Sequence, residues 1–150
     1  MKYNFHTMLE RGKTGENLII SALIERGWQI SRVTDMTMQK RGIDAIVAKN
    51  GIEHTVEFKT DGTACRTGNA FIEIDQNGKP GWAYYTEADY IFYLLPVLDT
   101  IYVVSPDMIR MRLDRWKNKY KQYTTEGTNT TGILVPITEF KTITKQVIKL

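Results

Sequence analysis

The stretch Gly42-Ile43-Asp44-Ala45-Ile46-Val47-Ala48-Lys49-Asn50-Gly51-Ile52-Glu53-His54-Thr55-Val56-Glu57-Phe58-Lys59-Thr60 decides the reading of this chain. Asn50-Gly51 separates two strand-like runs, and both turn residues tolerate positive φ, so the segment reads as a β-hairpin with a two-residue loop. Such a loop sets the register: Lys49 faces Ile52, and opposed residues have numbers that add to 101. Extrapolated outward, Asp44 stands across from Glu57, with Cβ atoms about 4.5–5.5 Å apart. The period of two along a strand puts Lys59 on the same face as Glu57. His54, opposite Val47, points to the other face and is not expected to be a ligand. A bulged three-residue turn would shift this pairing by one.

Two carboxylates and a lysine on one patch of sheet have a specific chemical use. Mg²⁺ takes oxygen ligands, and two carboxylates at that separation can share one ion. The ion withdraws charge from a phosphate oxygen and lowers the pKa of a bound water. A nearby lysine orients that water or stabilises the developing negative charge. Facing carboxylates with no counter-charge repel, which is costly in a purely structural hairpin. The bland alternative is an exposed Glu57/Lys59 charge pair with Asp44 at a strand edge. E-x-K by itself is short enough to recur by chance.

Outward from the hairpin, residues Thr14 to Arg26 recur at helical spacing through Leu18, Ile19, Ala22 and Leu23, with Gly27 as the stop; the start is open between Thr7, which has capping-box spacing to Glu10, and Thr14. Glu16 shares a side of this helix with Ile19 and Leu23. It either points at the sheet as a further acid or is a solvated first-turn glutamate favoured by the helix dipole. Trp28 to Thr34 reads as a strand and Met36 to Arg41 as a loop. Asp61 to Gly68 also reads as a loop, Ala70 to Asp75 as a strand, and Asn77 to Gly81 as a turn-rich break. Tyr90 to Leu95 and Thr100 to Val104 are continuous apolar runs, suited to strands buried on both faces. Ser105-Pro106 starts a helix whose inner face is Ile109, Leu113, Trp116 and Tyr120. Thr124 to Gly132 reads as a loop, Ile133 to Val135 as a last strand, and Thr138 to Thr142 as a short helix. The expected architecture is a single α/β domain over residues 1–150, with a central mixed sheet flanked by helices.

Gly42-Ile43-Asp44 followed after a hairpin by Glu57-Phe58-Lys59 resembles the PD-(D/E)XK nuclease superfamily. Gly12-x-x-Gly15-Glu16 on the upstream helix is similar to the archaeal-type Holliday junction resolvases within it. The resemblance covers about residues 10–61 and implies a restriction-endonuclease-like core. It also implies that Glu16, Asp44 and Glu57 are acidic metal ligands, the Phe58 backbone carbonyl a further one, and Lys59 the catalytic lysine. Where the family name has a proline before the aspartate, this chain has Ile43. The implied activity is Mg²⁺-dependent hydrolysis of DNA phosphodiesters, with Mn²⁺ as a substitute ion. The implied substrate is branched DNA, and the implied assembly a homodimer, because a four-way junction needs two cuts. Related cores also serve in recombination, restriction and DNA repair, so a nuclease without junction preference is a second reading. A non-catalytic DNA-binding protein on a nuclease scaffold is a third.

Composition bounds these readings. The 150 residues are 42% hydrophobic and 25% charged, as in an ordinary globular domain able to bury a core without staples. Cys65 is the only cysteine, so no internal disulfide forms, and His6 and His54 are too far apart to suggest a zinc site. No apolar run approaches the roughly 20 residues of a membrane span, and no signal peptide is evident, so a cytoplasmic, DNA-associated location is expected. No phosphate-binding GK[ST] loop is present, so no nucleotide cofactor is expected. Net charge is only +3, but residues 106–121 hold six basic against two acidic residues, either a solvated helix face or a surface for phosphates. Lys13, Lys40, Arg41 and Arg66 flank the site in sequence and are candidate DNA contacts. Trp82, Tyr84, Tyr85, Tyr90 and Tyr93 are expected in the core, with stacking on unpaired bases as the alternative.

Overall fold

The computed structural model describes residues 5–62 and 67–150, with side chains described from residue 14 onward. Its elements run α1 (Phe5–Glu25), β1 (Gln29–Arg32), α2 (Met36–Lys40), β2 (Ala45–Lys49), β3 (Ile52–Thr60), β4 (Asn69–Gln76), β5 (Lys79–Pro80), α3 (Trp82–Tyr85), β6 (Tyr90–Leu95), β7 (Thr100–Val104), α4 (Pro106–Lys119), β8 (Gln122–Thr125), β9 (Thr130–Pro136), α5 (Ile137–Lys141) and β10 (Gln146–Lys149). A six-stranded sheet has the order β1-β2-β3-β6-β7-β10, and a four-stranded sheet the order β5-β4-β9-β8. The larger sheet is mixed: β3 and β6 run parallel, and its other pairs are antiparallel.

The apolar runs β6 and β7 occupy the middle of the larger sheet because both of their faces are covered. Ile91, Tyr93, Leu95, Tyr102 and Val104 face one core with the smaller sheet, α4 and α5. Phe92, Leu94, Ile101 and Val103 face the other, with Ala45, Val47, Val56, Phe58 and the α1 residues Ile19, Ala22 and Leu23. The domain is thus layered as helix, six-stranded sheet, then smaller sheet with helices. No described helix is long and apolar enough to cross a membrane.

The hairpin takes the expected register from Ala45↔Val56 to Lys49↔Ile52. Asn50 (φ 54°) and Gly51 (φ 77°) supply the two positive-φ positions of its turn. His54 pairs with Val47 and packs edge-on against Tyr90, on the face away from Glu57, as its place in the register requires. The ladder stops one step short of Asp44, whose amide donates to the Val56 carbonyl at 2.8 Å rather than continuing the pairing to Glu57.

Other expectations need correction. Met36–Lys40 is a helix and not a loop, because the Asp35 carboxylate caps it by accepting from the Thr37 amide at 2.7 Å. Asn77-Gly78 is a second two-residue turn (φ 51° and 84°) that pairs β4 with β5. Residues 124–132 do not form a simple loop: β8 and β9 run through them as a hairpin, with Thr124↔Thr131 and Thr125↔Thr130 opposed. Strands at 70–75 and 133–135 were expected, but not their union with β5 and β8 in a separate sheet, nor β10. Helix α1 also begins well before Thr14, and Leu18 on it is exposed.

Candidate active site

Asp44, Glu57, Phe58 and Lys59 line one cavity of about 400 Å³, together with Glu16, Gln39, Gly42, Thr60 and Tyr85. Glu57 and Lys59 come from the middle of β3, on the face shared with Ile91 and Tyr93 of β6. Asp44 enters from the chain just before β2. Its Oδ2 accepts from the Phe58 amide at 2.8 Å, tying the two sides of the hairpin together below the ladder. In an extended strand the N–H and C=O of one residue point the same way, so the Phe58 carbonyl is directed to the Asp44 side.

Glu16 reaches this cavity because α1 packs unusually close to β3. A Cβ on Gly15 would lie 2.0 Å from the Thr60 hydroxyl oxygen, so only glycine permits the approach. The Glu16 carboxylate stands 3.7 Å from the Arg32 guanidinium. Gly42 is a second such point: it has φ +79°, and a Cβ there would come within 2.6 Å of the Thr86 hydroxyl.

The electrostatics are those of a crowded, partly buried acidic site. Glu57 is only 3% exposed. Burial pushes its carboxyl pKa up, and Lys59 beside it opposes that rise. Burial likewise raises Asp44, against the Phe58 amide and Lys59. Burial raises Glu16 too, against Arg32, while Asp44 adds to the rise. The Lys59 ammonium lies 2.9 Å from Glu57 Oε1 and 5.8 Å from the centre of the Trp82 ring. Burial lowers its pKa, but Glu57 and further negative groups outweigh this, and the net direction is upward. Lys59 is therefore a charged group at neutral pH. The second Glu57 oxygen, Oε2, is buried and takes no hydrogen bond of normal geometry.

Among the described residues, no three His, Cys, Asp or Glu side chains stand close enough to enclose a metal ion alone. The donors present nonetheless suit Mg²⁺, which usually keeps several waters and takes one or two carboxylates. The orphaned Glu57 Oε2 is the atom that such an ion would satisfy.

Two neighbours of the site were not among the expected site residues. Glu73, on β4 of the smaller sheet, lies near Lys59; burial raises its pKa, and Lys59 opposes this. Tyr85, on α3, lines the cavity. Tyr84 and Tyr85 are both exposed, contrary to the expectation of core aromatics, while Trp82 and Tyr93 are buried as expected. Of the candidate DNA contacts, Lys40 is exposed at the end of α2, and Arg41 pairs with Glu87 at 2.5 Å. The side chains of Lys13 and Arg66 lie outside the described residues.

No protein-family model matches the chain, and no curated protein matches it. Among solved structures it is similar to the bacterial homing endonuclease I-Ssp6803I, with a TM-score of 0.49 and 17% identity over 65% of this chain and 68% of that one.

Proposed function

We propose that the chain is a Mg²⁺-dependent DNA endonuclease that hydrolyses phosphodiester bonds, with selectivity for branched DNA. The observation that carries this reading is the shared cavity: Asp44, Glu57 and Lys59 line it together, and Glu57 Oε2 is buried there without a hydrogen bond. A burial that costly for stability needs compensation, and a bound cation supplies it. Asp44 and Glu57 would hold the ion, with the Phe58 carbonyl and Glu16 as further donors and Mn²⁺ as a substitute. When bound, the ion supplies Lewis-acid polarisation of the phosphate and an activated water.

The chain's own groups do the rest. Lys59, held against Glu57, places a fixed positive charge where the phosphate gains negative charge. Gln39 and Tyr85 form the solvent-exposed lining past which a phosphate enters. Lys13, Lys40, Arg41 and Arg66 are proposed to steer the DNA backbone. Junction preference and a symmetric homodimer follow from the resolvase-like motif of α1 and belong to the proposal.

The test uses a labelled four-way junction and a linear duplex, each with Mg²⁺ or EDTA, for wild type and Asp44→Ala. Metal-dependent cutting of the junction alone, lost in the variant, is the expected result. Equal cutting of both DNAs keeps the nuclease and removes the junction preference. Binding without cutting, unchanged in the variant, replaces the enzyme with a DNA-binding scaffold.

A further inference from the structure

Tyr85 differs from the two tyrosines of β6. The Tyr93 hydroxyl donates to Asp61, and the Tyr90 hydroxyl accepts from Lys145 at 2.7 Å. No hydrogen bond among the described residues engages the Tyr85 hydroxyl. Its side chain nevertheless lines the cavity beside Asp44, Glu57 and Lys59, and it is 38% exposed, so it is open to an incoming molecule.

The placement is rigid, because α3 is a single turn clamped at both ends. At its start, Gly81 presses on β4 so closely that a Cβ would lie 2.5 Å from the Glu73 carbonyl oxygen. Trp82, 4% exposed, anchors the turn with its ring 6.3 Å from that of Tyr93. At its end, the Thr86 amide donates to the Trp82 carbonyl at 3.2 Å, and the Thr86 carbonyl accepts from the Arg110 guanidinium. A donor held in this way loses little entropy on meeting a ligand, which is the condition for strong transition-state stabilisation.

We propose that Tyr85 is a further catalytic residue whose hydroxyl donates a hydrogen bond to a non-bridging oxygen of the scissile phosphodiester, beside Lys59. The assignment rests on the nuclease reading above. No bond or proton is transferred: the O–H···O⁻ contact strengthens as charge builds on the phosphate during attack. Lys59 then provides charge and Tyr85 a directed neutral donor on the same group.

Tyr85→Phe removes one oxygen and leaves the Trp82 anchor and the Gly81 junction intact. The expected result is an unchanged melting temperature and KM, with kcat lower by roughly ten- to a hundredfold, at or below the loss of one oxyanion-hole donor. Tyr84→Phe, whose ring lies 4.9 Å from the Lys117 ammonium, serves as the control and keeps full activity. Wild-type kcat in Tyr85→Phe overturns the assignment. A wild type that cuts nothing with Mg²⁺ or Mn²⁺ breaks the nuclease reading itself. The Tyr85 assignment, which rests on that reading, then falls with it.

Discussion

Val56 and Phe58 on one face of β3, and Glu57 and Lys59 on the other, are consecutive in the chain and meet opposite surroundings. Val56 (0% exposed) and Phe58 (8%) join the apolar core under α1, where burial lowers the free energy by removing apolar surface from water. Glu57 (3% exposed) is as buried as they are, yet its burial disfavours its charge and leaves one oxygen without a hydrogen bond of normal geometry. Equal burial thus stabilises on one face and costs stability on the other. The costly face is the one to which the proposed chemistry is assigned.

The comparison breaks most sharply on activity. On the proposed reading, Asp44→Asn should lower cleavage by about a thousandfold or more, since it removes a carboxylate proposed to hold the ion that activates water. It should not destabilise the metal-free protein, because the amide can still accept from the Phe58 N–H while the disfavoured charge is gone. Cleavage assays paired with thermal melts in EDTA check both halves. A large drop in melting temperature would make Asp44 a structural residue.

The apolar face should behave in the reverse sense. Phe58→Ala is expected to cost about 3–5 kcal/mol, from lost transfer energy plus a cavity. Urea unfolding measures it. A cost below about 1 kcal/mol would mean that the α1 face is loosely packed. Gly15→Ala should cost less, about 1–3 kcal/mol, because the new methyl must displace Thr60 and push α1 off β3. It should also weaken Mg²⁺ binding if Glu16 is a ligand, which calorimetry reads directly.

The smallest effect is on pH dependence. The folded pKa values of Glu16, Asp44, Glu57 and Glu73 are raised above 3.8–4.5, so the folded chain holds protons to higher pH than the unfolded chain. Between those ordinary values and the raised ones, these groups make metal-free stability fall as pH rises. Asp44→Asn should flatten that slope, and Mg²⁺ binding should strengthen across the same window. Unfolding curves from pH 4 upward with and without Mg²⁺ test this; a slope identical in wild type and variant would assign the titration elsewhere.

Much of the larger sheet was legible because its signals are local. The Asn50-Gly51 turn, the apolar runs at 90–95 and 100–104, and Ser105-Pro106 each announce an element within a few residues. The same turn placed Asp44, Glu57 and Lys59 on one side of the hairpin, although the ladder ends before the extrapolated pair. The smaller sheet was legible only in part: strands at 70–75 and 133–135 were expected, but not their pairing in a second sheet or its edge strand β8. Thr124, Thr125, Asn129 and Thr130 have loop composition, and they form strands only because β9 finds β4 across the domain. Glu73 and Tyr85 come to Lys59 through that same long-range packing, and no spacing in the chain encodes their approach.

The parallel contact between β3 and β6 also sets an order of events. Val56 pairs with Tyr90, so the chain must close a loop holding β4, β5 and α3 before that contact forms. The β2–β3 hairpin closes over two residues and is expected within microseconds, whereas non-local parallel pairing is intrinsically slow. During refolding, amide labelling should protect Val56 and the rest of the hairpin's ladder before Tyr93 on β6. The two carboxylates then meet early and without Tyr85, which arrives with the crossover. On the proposed reading, a nascent chain therefore carries an incomplete centre until this crossover closes.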